Sequence, residues 1–355
     1  MFKPVRNLIG AGVLAVLTAA AVGLARFLPA FWFSFYTDFS RGAMGLLGAA
    51  FGWVPFPIWE VLLVLLIVGV LAGLIYAIRH KKFLGWLTGV LEGAVLLVFL
   101  FMGLWGLNHF APTIGEQTGL EVREYTADQL KQAAAWYTEQ ASWFSQDVER
   151  DENGDVVLPD FSALSEEAVT AYGRLAEYDE RFALRNQRAK PLLASKAFAY
   201  MGTTGVFVCF TGEAGASTEA YSLFQPFTIC HELGHSLAVA REDEANYLAF
   251  LACRASQNEL FRYSGYYYAF VYCYNALYSD PETRSAARSL WKLCSEEMLH
   301  DCDMEGKHEK QYEGKVQQAA TAVNNAYLKT FDEAGVKSYG LVVDYLIAEY
   351  LKNEQ

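Results

Sequence analysis

The sequence predicts a mainly α fold: three transmembrane helices, then a mostly helical domain with a short β-sheet or edge strand. Three observations carry this. Uncharged apolar runs crowd the first 107 residues. After residue 108 the apolar residues recur with helical spacing and carry capping signals. One short segment, Thr203–Thr211, is instead rich in β-branched and aromatic residues. With 53% hydrophobic and 19% charged residues in 355, part of the chain is expected in lipid. The expected domains are residues 1–107, in the membrane, and 108–355, outside it.

Leu8–Ala25 and Val61–Ile78 carry no charge, and Phe83–Leu107 carries only Glu92. Each run approaches or exceeds the roughly 20 residues that cross a bilayer. Lys3 and Arg6 before the first run would also suit a cleavable signal peptide. Two later spans would hold the chain in the membrane regardless. Basic residues favour the cytoplasmic side, and they cluster at Lys3 and Arg6 and again at Arg79, Lys81 and Lys82. The N-terminus is therefore expected in the cytoplasm, and residues from about 108 onward outside, in a multi-pass protein of the cell membrane. The loop Arg26–Pro57, with Phe31, Trp32, Phe33, Phe35, Tyr36, Phe39 and Trp53, suits an interfacial or re-entrant segment on the outer side. Glu92 is a candidate functional carboxylate by its position, or packs against a neighbouring helix near the cytoplasmic end.

Charge divides at the same place. Residues 1–107 hold 7 Lys+Arg and 3 Asp+Glu, a net of +4, whereas the remainder holds 21 and 37, a net of −16. An acidic outer domain excludes nucleic acid as the expected partner, because that needs a basic footprint.

In the outer domain, Thr126 with Gln129 forms a capping box before a helix running to about Arg150. Asp151–Asp155 reads as a turn, and Ser162 or Ser165 as the cap of a second helix ending near Leu184. Thr203–Thr211 reads as a strand, either an edge strand that pairs with an extended substrate or one arm of an ordinary hairpin. Further helices are expected over Glu242–Ser256, Phe261–Tyr278, Glu282–His300, Lys307 to about Glu333, and Ser338–Leu351. The tyrosines from Tyr263 to Tyr274 read chiefly as core packing.

The chemistry centres on Cys230-His231-Glu232-Leu233-Gly234-His235, an HExxH motif. Two His at i and i+4 share one helix face and can grip one Zn²⁺, with Glu232 beside them as general base. A catalytic zinc needs a third protein ligand and an open position. Six residues after His235 stands Arg241, where a metzincin would have His, so that pattern fails. Glu242 and Asn246 instead match the E-x-x-x-D/N pattern of gluzincins, which makes Glu242 the expected third ligand and Asn246 a partner for a ligand His. Glu244 competes for the role. The domain is thus expected to be zincin-like, of gluzincin type. Only Ser236–Arg241 separates the two ligand segments, so the chain must reverse sharply without a Gly. A left-handed Ala there costs roughly 1–2 kcal/mol, small beside the order of 10 kcal/mol that structural zinc binding supplies.

The expected activity is hydrolysis of a peptide or protein substrate. Zinc would lower the pKa of its bound water to about 7, and Glu232 would move the proton to the leaving amine. Tyr263 or Tyr267 would steady the oxyanion. Two alternatives differ in class. An intramembrane protease would place HExxH in a spanning helix, but no uncharged run of spanning length contains His231. A non-catalytic membrane-anchored envelope binding protein, with a structural or vestigial metal site, would have no need of Glu232. All six Cys fall after residue 208. They are open to disulfides in an oxidising compartment or to burial as small apolar residues, and Cys230 is expected to point away from the metal.

Several segments then match one known family in order. These are Phe207–Ala214, Pro226–His235, Arg241–Tyr247, Tyr263–Tyr266, Tyr327–Lys329 and Gly335–Gly340. The chain resembles the domain of unknown function 3810 family of bacterial membrane proteins with an HExxH motif, over most of its length. The resemblance implies a gluzincin-like metallopeptidase with no established substrate. Relatives tend to carry Gly at the position of Ala238.

Overall fold

The computed structural model describes residues 3–331 and 338–353. The expected helix end near Glu333 and the matched residues Gly335, Val336 and Lys337 lie outside the described residues. Helices α1 (Lys3–Phe27), α4 (Ile58–Arg79) and α5 (Phe83–Leu104) are long and apolar enough to cross a membrane. Eight successive residues of α4, Val61 to Val68, are each 41–60% exposed. A helix apolar on every side belongs in a protein core or in lipid, and the exposure of α4 suits lipid. Between α1 and α4 the chain forms α2 (Pro29–Phe33) and α3 (Tyr36–Phe51). Glu92 packs on α1 over Gly10, and the Asn7 amide, oriented to satisfy its partners, donates to Glu92 Oε2 at 3.2 Å. Of its two expected roles, helix packing is the one this geometry matches.

The remaining chain builds α6 (Ile114–Thr118), α7 (Ala127–Ser145), α8 (Phe161–Tyr178), β1 (Ala189–Pro191), α9 (Ser195–Tyr200), β2 (Gly205–Val208) and β3 (Glu213–Ala216). Then follow α10 (Gln225–Ser236), α11 (Glu242–Ala255), α12 (Glu259–Ser279), α13 (Arg284–Leu290), α14 (Glu296–Lys310), α15 (Lys315–Lys329) and α16 (Ser338–Asn353). The Thr126–Gln129 capping box forms as read. The second helix does not start at Ser162 or Ser165: the Asp160 side chain accepts from Ala163 N and caps α8 two residues earlier. The helix expected over Glu282–His300 is broken, because Ser295 caps a new helix, α14, by accepting from Met298 N. The one expected from Lys307 divides between α14 and α15.

A single core joins α7, α8, α10, α11, α12 and α16, with Tyr137, Tyr172, Phe250, Phe261 and Tyr263 wholly buried. Phenol hydroxyls inside it need acceptors, and Tyr137 donates to Leu346 O and Tyr172 to Cys230 O. The strands form one small sheet in the order β1-β3-β2. β1 runs parallel and β2 antiparallel to β3, with Val206 opposite Gly215.

Reciprocal carboxylates bind the membrane helices to this domain. Glu213 of β3 accepts from Ile58 N and Trp59 N, two amides at the start of α4 that a helix leaves unpaired. Glu60 of α4 in turn accepts from Leu193 N and Ala194 N. Lys190 neutralises Glu213 at 2.6 Å, with both side chains at most 5% exposed, and also donates to Phe51 O and Phe56 O. At the C-terminal end of α5, on the same side as the start of α4, Tyr36 donates to Met102 O and Ser40 to Leu104 O. The α4–α5 turn, with Arg79, Lys81 and Lys82, therefore lies at the end remote from the domain.

Removing one member of a buried ion pair leaves the other uncompensated, at a cost of about 3–5 kcal/mol. Lys190→Met is expected to lower the melting temperature in detergent strongly, and the exposed Lys196→Met to change stability by less than about 0.5 kcal/mol. Equal melting temperatures for the two variants would contradict this joint.

Candidate metal centre

Helix α10 carries the motif. Pro226 in its first turn lacks an N–H that the helix would leave unpaired in any case. One turn apart on the same face, His231 and His235 set their rings nearly perpendicular, at 89°, with Nε2 atoms 3.0 Å apart. The chain then reverses. Leu237 N donates to Gly234 O and Ala238 N to His235 O, and Ala238 takes φ +67°. This left-handed alanine is the strained turn that the short connection predicted, and α11 opens four residues later at Glu242. The reversal also brings Val239 O to 2.8 Å from His235 Nδ1. A neutral imidazole that donates there presents the lone pair of Nε2 to the site.

Glu242 Oε2 lies 3.3 Å from His231 Nε2, and Oε1 lies 3.9 Å from His235 Nε2. One donor atom from each of the three residues falls within 4.8 Å of the others. Tetrahedral ligands about 2.0–2.1 Å from a zinc-sized ion sit about 3.3 Å apart. The observed separations bracket that value, so the three donors could hold such an ion with small adjustments. Glu244 faces elsewhere: its Oε1 accepts from Ile114 N and the Tyr345 hydroxyl and forms an ion pair with Arg241 Nε at 3.5 Å. Asn246, one turn after Glu242, acts on the His231 side chain and helps to raise its pKa, and its own Nδ2 is buried without a partner among the described residues.

Glu232 is 5% exposed, and its Oε2 has no hydrogen-bond partner among the described residues. A buried carboxylate oxygen without a donor is costly, and such exceptions call for an explanation in function. Burial pushes Glu232 up to about 8 and His235 down to about 4. Burial is the largest influence on both His231 and Glu242 and opposes their charge, but the hydrogen bond between them and the neighbouring charges together outweigh it, raising His231 and lowering Glu242. A cation held between them would return Glu232 towards its carboxylate form.

The three donors and Glu232 line a cleft of about 1220 Å³. β2 forms one wall, with Gly205 so close to Glu232 that a Cβ would sit 2.5 Å from Oε1. The strand is shorter than Thr203–Thr211, and it lies at the sheet edge. Tyr263 and Tyr267 do not reach this cleft. Tyr263 donates to Asp301 and Tyr267 to Glu305, because α12 turns that face towards α14. Tyr268, Tyr272 and Tyr327 line the cleft instead. All six cysteines are free, four of them buried, and Cys230 packs in the core away from the cleft.

Sequence reasoning missed Trp105. Its indole donates to His235 O at 2.9 Å, and its ring meets the His235 imidazole edge-on at 5.8 Å. An aromatic residue at the end of an apolar span reads as a lipid anchor, so only its place beside a motif distant in sequence could have singled it out. The wall supplied by α15 also carried no signal beyond its helical period.

The strained turn gives a direct test. Ala238→Gly is expected to stabilise the protein by about 1 kcal/mol, because glycine adopts positive φ without the Cβ penalty. A thermal melt in detergent checks it, and a lowered melting temperature would refute the left-handed turn.

Comparison with curated proteins gives no match, and comparison with solved structures gives none. A family model described as protein of unknown function (DUF3810) matches residues 35–347. That match covers most of the chain, and the protein belongs to this family.

Proposed function

We propose that this chain is a membrane-anchored, zinc-dependent metallopeptidase whose catalytic domain lies outside the cytoplasm. The observation that carries the reading is the convergence of His231, His235 and Glu242 within 4.8 Å, with Glu232, whose Oε2 lacks a partner among the described residues, in the same cleft. Two imidazoles and one carboxylate are the donor set of a catalytic zinc site that keeps a position open. Zinc bound there would lower the pKa of a water to about 7 and polarise a carbonyl. Glu232 accepts the proton from the attacking water and returns it to the departing amine nitrogen. Val239 O holds the His235 imidazole in the orientation that leaves Nε2 free to ligate, and Asn246 would steady His231.

A peptide substrate is favoured by the edge strand. β2 is paired on one side only, to β3, and lies along the cleft beside Glu232. Main-chain pairing to such an edge holds an extended peptide with little regard for its side chains. The placement outside the cytoplasm rests on the basic Arg79–Lys82 turn, remote from the domain, and on Lys3 and Arg6. An intramembrane site is disfavoured, because α10 has 12 residues and is not among the three spanning helices found in the described residues.

Glu232→Gln is expected to retain one zinc per chain and to lose at least 100-fold in kcat on a peptide library, about 3 kcal/mol. Full activity in that variant would remove the peptidase reading. His235→Ala and Glu242→Ala are expected to release the metal, whereas Glu244→Gln keeps it. Zinc analysis of the purified variants separates the two acids, and loss of metal from Glu244→Gln alone would reassign the third ligand.

A further inference from the structure

Resting on the peptidase reading, we propose that the cleft takes membrane-tethered polypeptides, and that the cut segment lies within a few residues of the outer end of a transmembrane helix. The cleft is continuous with the membrane part of the chain. Phe101, still inside the spanning helix α5, lines it together with His231 and Glu242, and so does Trp105, just beyond that helix. The Trp105 ring sits 5.8 Å from His235. From Phe101 to Trp105 the helix rises about 6 Å. Extended chain covers about 3.3 Å per residue, so about four residues bridge from the level of Phe101 to the candidate metal centre.

The level of the bilayer surface is marked independently. Helix α3 turns Tyr36, Ser40, Met44 and Gly48 inward. Its other face presents Phe39 and Leu46, 55% and 76% exposed, next to Phe31 of α2 at 63%. Aromatic side chains of this kind settle at the boundary of lipid and water. This helix also touches the ligand turn directly, since Arg41 Nε donates to Leu237 O at 3.4 Å. The hairpin α2–α3 would therefore lie along the membrane surface directly beneath the reversal that positions Glu242.

The far wall fits the same occupant. Val316 and Val323 of α15 line the cleft and are 57% and 71% exposed. At the end of α15, the Tyr327 and Phe331 rings pack on Phe101 at 6.4 Å each. An apolar wall joined to the top of a span suits a substrate whose flank leaves the bilayer there. A soluble peptide would have to bring its own apolar surface through water to the same place.

The test places one cleavable segment on one transmembrane anchor through inert Gly-Ser spacers of 4 or 30 residues, co-reconstituted with the protein in liposomes. Using a single anchor keeps the surface concentration equal. The wild-type protein is read by cleavage rate. A Glu232→Gln protein with a photoreactive residue in place of Val206 is read by cross-linking yield. The short spacer is expected to exceed the long one at least 10-fold in both readouts. Cleavage independent of spacer overturns the inference and leaves the peptidase reading intact. Spacer-dependent cross-linking without any cleavage keeps the binding inference and removes the peptidase. Neither cleavage nor cross-linking overturns both.

Discussion

The reversal between His235 and Glu242 governs this site. An HExxH helix supplies two imidazoles from one face, but a third donor must return to the same point from a different helix. Here the return is accomplished in Ser236–Arg241, at the cost of a left-handed Ala238. The same turn presents Val239 O to His235 Nδ1, so the strained backbone also orients a donor. Strain of this kind persists only where the surroundings over-determine it. Leu237 and Ala238 are buried, and Arg41 of α3 holds Leu237 O from the membrane side.

Membrane helices and domain form one mechanical unit. Glu213 caps α4, Glu60 caps the segment after β1, and Lys190 neutralises Glu213 between them. Trp105 carries the link into the site, since it follows α5 directly and bonds the carbonyl of His235. Anchoring a hydrolase by a flexible tether would leave its cleft free to meet soluble chains. On the proposed reading, a cleft wall built from the end of a span would fix its height above the bilayer and restrict what can enter.

Much of this was legible in the sequence. The three candidate spans follow from apolar length with at most one charge, Glu92 in the third run, because lipid tolerates little else. The meeting of His231 and His235 follows from their i, i+4 spacing, and the four-residue distance from Glu242 to Asn246 pointed to Glu242, rather than Glu244, as the acid that joins them. Spacing could not show that Glu244 is occupied by Ile114 N and Tyr345, contacts more than 100 residues away in the chain. The same limit misplaced Tyr263 and Tyr267: α12 is aromatic on several faces, so its composition does not reveal which face meets α14 and which the cleft. The cap of α8 was missed because Asp160, Ser162 and Ser165 are all competent caps, and the helix begins at the earliest of them.

Zinc K-edge absorption spectroscopy of the purified, detergent-solubilised protein addresses the central claim most directly. The account predicts one zinc per chain with two imidazole shells and light oxygen donors at about 2.0–2.1 Å, and no sulfur at about 2.3 Å. Absence of stoichiometric zinc, or a sulfur-containing shell, would contradict it.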